Sequence, residues 1–145
     1  MTLNPQDFVD IDQLYARQSQ AIDVGDAAGW ADTFTENGTF ESPTYGQTVS
    51  GRVELTAFAQ RFADTAAAEG RSYRHWTNSI VLNAEGENRV TASGYLAIVS
   101  IEPQAPPRFE RHVEISDQLA RTAAGWRFRS RVVAPSSQGS NPKEH

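Results

Sequence analysis

Phe8, Ile11, Leu14, Tyr15 and Ile22 recur at helical spacing, so an amphipathic helix is predicted over residues 5–23. Asn4-Pro5 supplies its start, with Asn4 as N-cap, Pro5 at the first helical position and Asp7 in the first turn. Gly25 closes it. Asp26 then caps a short second helix whose Ala27, Trp30, Ala31 and Phe34 share one face. Asn37-Gly38 reads as a turn, and Thr39-Phe40-Glu41-Ser42 as a short strand ended by Pro43. A second short strand around Gln47-Thr48-Val49 is placed to pair with it. From Gly51 to Glu69 the spacing of Leu55, Phe58, Ala59, Phe62 and Ala66 gives a third helix, stopped by Gly70.

After Gly70 the pattern changes from helical to alternating. Residues 72–83, 89–102, 108–122 and 126–133 read as four strands, joined by turns at 84–88, 103–107 and 123–125. Each strand exceeds the average of about 5–6 residues, most of them by roughly twofold. Long antiparallel strands coil under their right-handed twist, and Gly94 inside one of them marks a bulge that bends the sheet. Three helices followed by a curled meander predict an α+β fold. The helices pack into the concave face of a strongly curved, mainly antiparallel sheet, a cone with a pocket at its open end. No internal repeat is visible, so residues 1–134 are expected to form a single domain. Residues 135–145 have the composition of a flexible tail.

Composition narrows the chemistry. The chain has 145 residues, 39% hydrophobic and 21% charged, enough for one domain with a real core. Cysteine is absent, which excludes disulfides, thiolate metal sites and thiol nucleophiles. A net charge of -5 argues against nucleic acid or an anionic membrane as partner. No apolar run approaches a membrane span, and the first residues lack the pattern of a signal peptide, so a cytoplasmic location is expected. The histidines are His75, His112 and His145, which leaves few groups for acid–base work near neutral pH.

His75 lies in Tyr73-Arg74-His75-Trp76-Thr77-Asn78. Alternation gives it the face of Tyr73, Thr77, Ser79 and Val81, opposite Arg74, Trp76, Asn78, Ile80 and Leu82. That polar set fits either a wet cavity or a solvent-facing side. Asp23 ends the first helix, where a negative charge opposes the dipole at a cost of ~0.3–1 kcal/mol. It fits a turn aspartate bonded to local backbone, or a partner for a nearby imidazolium. His112 shares its face with Glu110, Glu114, Ser116 and Gln118, which by itself describes a polar sheet surface. No His-x-His, His-Glu-x-x-His, Gly-x-Ser-x-Gly or phosphate-binding glycine loop occurs, so neither a metal nor a cofactor is expected.

Leu14-Tyr15-x-x-Gln18-x-x-x-Ile22-Asp23, Gly51 opening a long helix, His75 with Asn78, and the final Gly125-Trp126-Arg127-Phe128 strand resemble the SnoaL-like branch of the NTF2-like superfamily. The resemblance spans roughly residues 5–133. It implies a cone-shaped barrel of the kind that houses ketosteroid isomerases, polyketide cyclases, scytalone dehydratase and lindane dehydrochlorinase. The dehydratase–dehydrochlorinase group is the nearest pattern, and it implies Asp23 and His75 as the catalytic pair. His112, judged by its distance before Trp126, matches a second active-site histidine. Ile22 and Phe40 stand where scytalone dehydratase has two tyrosines, with Tyr45 as another source of a hydroxyl.

The resemblance thus implies a cofactor-independent dehydratase or cyclase of secondary metabolism. Asp23–His75 would abstract a proton next to a carbonyl and His112 would assist as acid. The implied substrate is a cyclic or aromatic polyketide-like small molecule, held by Trp30, Phe34, Phe40, Tyr45, Asn78 and Tyr95. Ordinary core packing is the plainer role for any of these aromatic rings. A homodimer or homotrimer is the expected assembly. The same fold also serves as a non-catalytic ligand-binding module or an oxygenase-supporting subunit. In that alternative Asp23 and His75 are structural, and an apolar patch covers the outer sheet face. The last strand would turn outward either Arg127, Arg129 and Arg131 or Trp126, Phe128 and Val132.

Overall fold

In the computed structural model, which describes residues 3–43 and 46–136, helix α1 (Pro5–Asp23) begins with a reciprocal cap. The Asn4 side chain accepts the Asp7 N–H at 2.8 Å, and the Asp7 carboxylate accepts the Asn4 N–H at 3.1 Å. The buried Asp7 carboxylate also accepts Trp126 Nε1–H at 3.2 Å and pairs with Arg121 at 2.9 Å, tying the helix start to the last strand. Burial by itself would raise the Asp7 pKa. The bonds from Trp126, Asn4 and Arg121 outweigh it and hold the group below its ordinary 3.8.

A depressed carboxylate contributes stability that is complete above its unfolded pKa and is lost as pH falls through the folded one. Asp7→Asn is therefore expected to flatten part of the acid limb of the stability–pH curve below pH ~4. Urea melts across pH 2–7 check this, and parallel curves for the two proteins would refute it.

Asp26 caps α2 (Ala27–Asp32) by accepting the Gly29 N–H at 2.9 Å. Strand β1 (Phe34–Ser42) and strand β2 (Gln47–Ser50) follow, then α3 (Gly51–Glu69). The long strands are β3 (Ser72–Ala84), β4 (Arg89–Ile101), β5 (Arg108–Thr122) and β6 (Gly125–Pro135). The sheet order is β2-β1-β6-β5-β4-β3, antiparallel throughout except for β1 beside β6. The expected meander is thus present, and β3 is an edge strand. Ile11, Leu14, Tyr15, Gln18 and Ile22 of α1 are buried, whereas Phe8, expected on the same face, is half exposed. Among the described residues no helix is long and apolar enough to cross a membrane. Strand β6 runs one residue past the expected domain end, and residues 137–145 of the expected tail lie outside the described residues.

The expected turn at Asn37-Gly38 is a correction. Phe34 pairs with Phe128 and Thr39 with Ser130, so residues 35–38 swell out of a strand that keeps its direction. The parallel partner β6 takes up the chain on both sides of the swelling. A Cβ on Gly38 would lie 2.7 Å from that of Phe34, which is why the excursion can fold back so tightly.

Bulges decide which side chains face inward. Four residues of β3, from Asn78 to Val81, oppose three of β4, from Tyr95 to Ser93, with Ser79 at φ 55°. The inward face of β3 therefore passes from Tyr73, His75 and Thr77 to Ile80 and Leu82, which pack on the core, while Val81 is exposed. The expected bulge exists, but in the strand opposite Gly94. A Cβ there would stand 2.3 Å from Ile80 Cδ1 and 3.0 Å from the Asn78 carbonyl oxygen. Gly94→Val is expected to cost roughly 1–3 kcal/mol through overpacking, measured by urea unfolding; an unchanged midpoint would show that the bulge yields freely.

Candidate functional site

Between the helices and the sheet lies a cavity of about 510 Å3, within the size range of small-molecule sites. Trp30, Phe40, Phe58, Phe62 and Tyr73 provide aromatic wall, and Leu96, Ile98 and Val113 form the sheet side. Trp30, Phe40 and Phe58 stack on one another with ring centroids 5.0–5.6 Å apart. Gln18, buried in α1, lines the cavity and donates to Thr33 Oγ1 at 2.9 Å.

His75 lines this cavity, and Asp23, which lines the groove behind it between α1 and β3, meets its ring. Asp23 is the last residue of α1, and β3, as an edge strand, has backbone N–H groups without a ladder partner on one side. The carboxylate accepts the His75 N–H at 3.1 and 3.3 Å and lies 2.7 Å from His75 Nδ1. Asp23 thus bonds across the fold rather than to its own turn. The side chains are 14% and 9% exposed, so the pair is shielded from bulk water but open to the cavity through the imidazole. The Phe62 ring meets the imidazole edge-on at 5.5 Å. Nε2 has no hydrogen-bond partner among the described residues, which leaves it for a ligand.

His112 is elsewhere. Arg111 and Val113 line the cavity, and Ile115, Asp117 and Leu119 continue that inward row, so His112 is out of phase and points outward. There its ring lies against Tyr95, 5.6 Å between centroids, and its Nδ1 is 2.6 Å from Ser136 Oγ. The expected cavity-facing acid is corrected by the period-two alternation of a strand. Tyr95 shares the outer face and does not reach the cavity. Phe34 is wholly core, packed between Trp30 and Phe128. Asn78 lines a separate groove of about 800 Å3 between α1 and β3, on the far side of His75. Tyr45 lies outside the described residues. Of the expected ring-holding residues, Trp30 and Phe40 line the cavity.

Two bulges bring in charged groups that alternation hid. Glu110 is the extra residue of β5 between the pairs Ile98–Arg111 and Val99–Phe109, and it turns into the cavity mouth. The Ser100 hydroxyl at 2.6 Å, with Arg108 at 3.0 Å, holds its carboxyl below the ordinary 4.5. In β6 the step from Phe128 to Ser130 opposes one step of β5. This shift puts Trp126, Phe128, Arg131 and Val133 inside together and leaves Val132 outside, so neither expected face of that strand is uniform.

Arg131 is buried and lines the cavity. Its Nε and Nη2 each donate to Asp117 at 2.8 Å, and Tyr15 donates its hydroxyl to the same carboxylate at 2.5 Å. Burial would lower the Arg131 pKa, but the Asp117 charge and hydrogen bonds overcome that and hold it above its ordinary value. Burial, and then the Asp117 charge, push the Tyr15 phenol upward. Asp117 was legible as the polar residue on the apolar inward row of Val113, Ile115 and Leu119, whereas Arg131 reaches its inward row only through the bulge in β6.

Residues 6–132 match the SnoaL-like domain family. The chain belongs to that family. Its SnoaL-like fold is similar to Aln2 from a Streptomyces species, with 27% identity, 93% of this chain and 94% of that one covered, and a TM-score of 0.81. ActVI-ORFA from Streptomyces coelicolor is 29% identical over 88% of this chain and 95% of its own, at a TM-score of 0.79. A protein from Catenulispora acidiphila in complex with S-DNPA is 25% identical, covering 87% and 90%, at 0.75. No curated protein sequence matches this SnoaL-like chain.

Proposed function

We propose that this SnoaL-like protein is a cofactor-independent acid–base enzyme, a dehydratase or cyclase acting on a cyclic or aromatic, polyketide-like carbonyl compound. One observation carries the reading: His75 on the wall of an aromatic-lined cavity, with Nδ1 engaged by Asp23 at 2.7 Å and Nε2 unpartnered. The S-DNPA complex of the Catenulispora protein supports a small-molecule site in this fold.

The chemistry follows from the geometry. Asp23 accepts from Nδ1–H and so fixes the tautomer whose Nε2 carries a lone pair. Nε2 takes a proton from carbon next to the carbonyl, and the electron pair of that C–H bond moves onto the carbonyl oxygen. Asp23 faces the imidazolium so formed. Arg131, ion-paired with Asp117, lines the cavity in which the enolate develops. With His112 outside, the imidazolium itself returns the proton. Delivery to a departing hydroxyl gives elimination; delivery elsewhere on the enolate gives isomerisation, and attack of the enolate carbon on a second carbonyl gives cyclisation.

The test uses the first step, common to all three outcomes. In D2O the protein is expected to speed deuterium uptake at the α-carbon of 2-tetralone, a cyclic ketone probe, followed by proton NMR. Saturable binding of the probe without accelerated exchange would move the reading to a ligand-binding module.

A further inference from the structure

The charged groups around the cavity are unequally occupied. Arg131 is held by Asp117, and Glu110 by Ser100 and Arg108. Glu69 accepts the Tyr73 hydroxyl at 3.1 Å. Arg111 also has a partner. Arg61 lines the same cavity and has no hydrogen bond or ion pair among the described residues.

Its position on α3 explains this. Phe58, Arg61, Phe62, Thr65, Ala66 and Glu69 form the stripe of α3 that lines the cavity, at the i, i+3, i+4, i+7 spacing of one helix face. Asp64, one turn on from Arg61, accepts from Gln60 and forms no ion pair with Arg61 among the described residues. Glu69 lies two turns further on, about 12 Å along the axis, beyond the ~8 Å screening length at physiological salt. Thr65 is one turn from Arg61, and Gln47 of β2 also lines the cavity. The cavity wall formed by α3 therefore holds an uncommitted guanidinium with a threonine hydroxyl one turn away.

We propose that Arg61 determines specificity by anchoring a carboxylate on the substrate, so that the preferred compound is an acid carrying its ring among Trp30, Phe40 and Phe58. A guanidinium presents paired N–H donors that match the two oxygens of a carboxylate, and such charge-assisted bonds are the strong ones. This rests on the reading of the cavity as a ring-binding site. The anchored end fixes which carbon meets His75 Nε2, so the anchor bears on the outcome as well as the affinity.

The test compares 2-naphthoate with its neutral methyl ester by calorimetry, on the wild type and on Arg61→Gln. Arg61 is exposed, so the variant is expected to keep the fold, checked by its thermal midpoint. The expected result is at least tenfold tighter binding of 2-naphthoate than of the ester, a preference that Arg61→Gln and added salt both erase while ester affinity stays the same. Equal binding of acid and ester to the wild type overturns the anchor and leaves the ring site standing. A preference for the acid that survives Arg61→Gln overturns the assignment to Arg61. Failure of both probes to bind overturns the ring site and the anchor together.

Discussion

His75→Ala is expected to lower the rate of α-proton exchange on a cyclic ketone by roughly 10²–10⁴-fold, the range of a positioned general base. The fold should survive, because His75 is partly exposed and its backbone N–H still reaches Asp23. Circular dichroism and the thermal midpoint serve as the control. An unchanged exchange rate in a folded variant would remove the base from the mechanism. Asp23→Asn separates positioning from packing: the amide nearly matches the carboxylate in size, but its NH2 can donate to Nδ1 and stabilise the opposite tautomer. Nitrogen-15 shifts of the His75 ring should move accordingly, with exchange falling toward the His75→Ala value. A purely structural Asp23 would leave both ring shifts and exchange as they were.

The second large effect concerns stability. Asp117→Ala is expected to cost roughly 3–5 kcal/mol, because it strands the Arg131 charge in the interior. The Asp117 side chain is fully buried and that of Arg131 only 7% exposed, so water cannot replace the lost partner cheaply. Tyr15 loses its acceptor as well. Urea unfolding measures the loss. The double variant Asp117→Leu/Arg131→Met should recover much of it, since an apolar pair of similar volume leaves no orphaned charge. A loss below about 1 kcal/mol for the single change would show that the guanidinium finds other partners, on the scale of solvated ion pairs.

The Asp23–His75 pair illustrates what could be read in advance. Each residue sits at an element end that the pattern marks, and the resemblance joined them, although they are 52 positions apart. Its contact is a tertiary fact: α1 must cross the sheet so that its last residue meets the unpaired edge of β3. His112 shows the opposite case. Alternation alone put it with Glu114, Ser116 and Gln118 on a polar surface, and that is its face in the structure. Distance along the chain to Trp126 suggested otherwise because it counts residues without regard to strand phase.

Helix and strand order, the caps at Asn4 and Asp26, and the change of period after Gly70 were determined by the sequence by itself, since each depends on neighbours within a turn or two. The inward faces were not. The shifts in β1, β3, β5 and β6 reverse the alternation partway along, and they exist because neighbouring strands must stay paired while the sheet bends. Those shifts put Glu110 and Arg131 into the cavity and Val81 outside it. A bulge is a property of two strands and the curvature between them, so the charge that lines the cavity was decided by the tertiary structure.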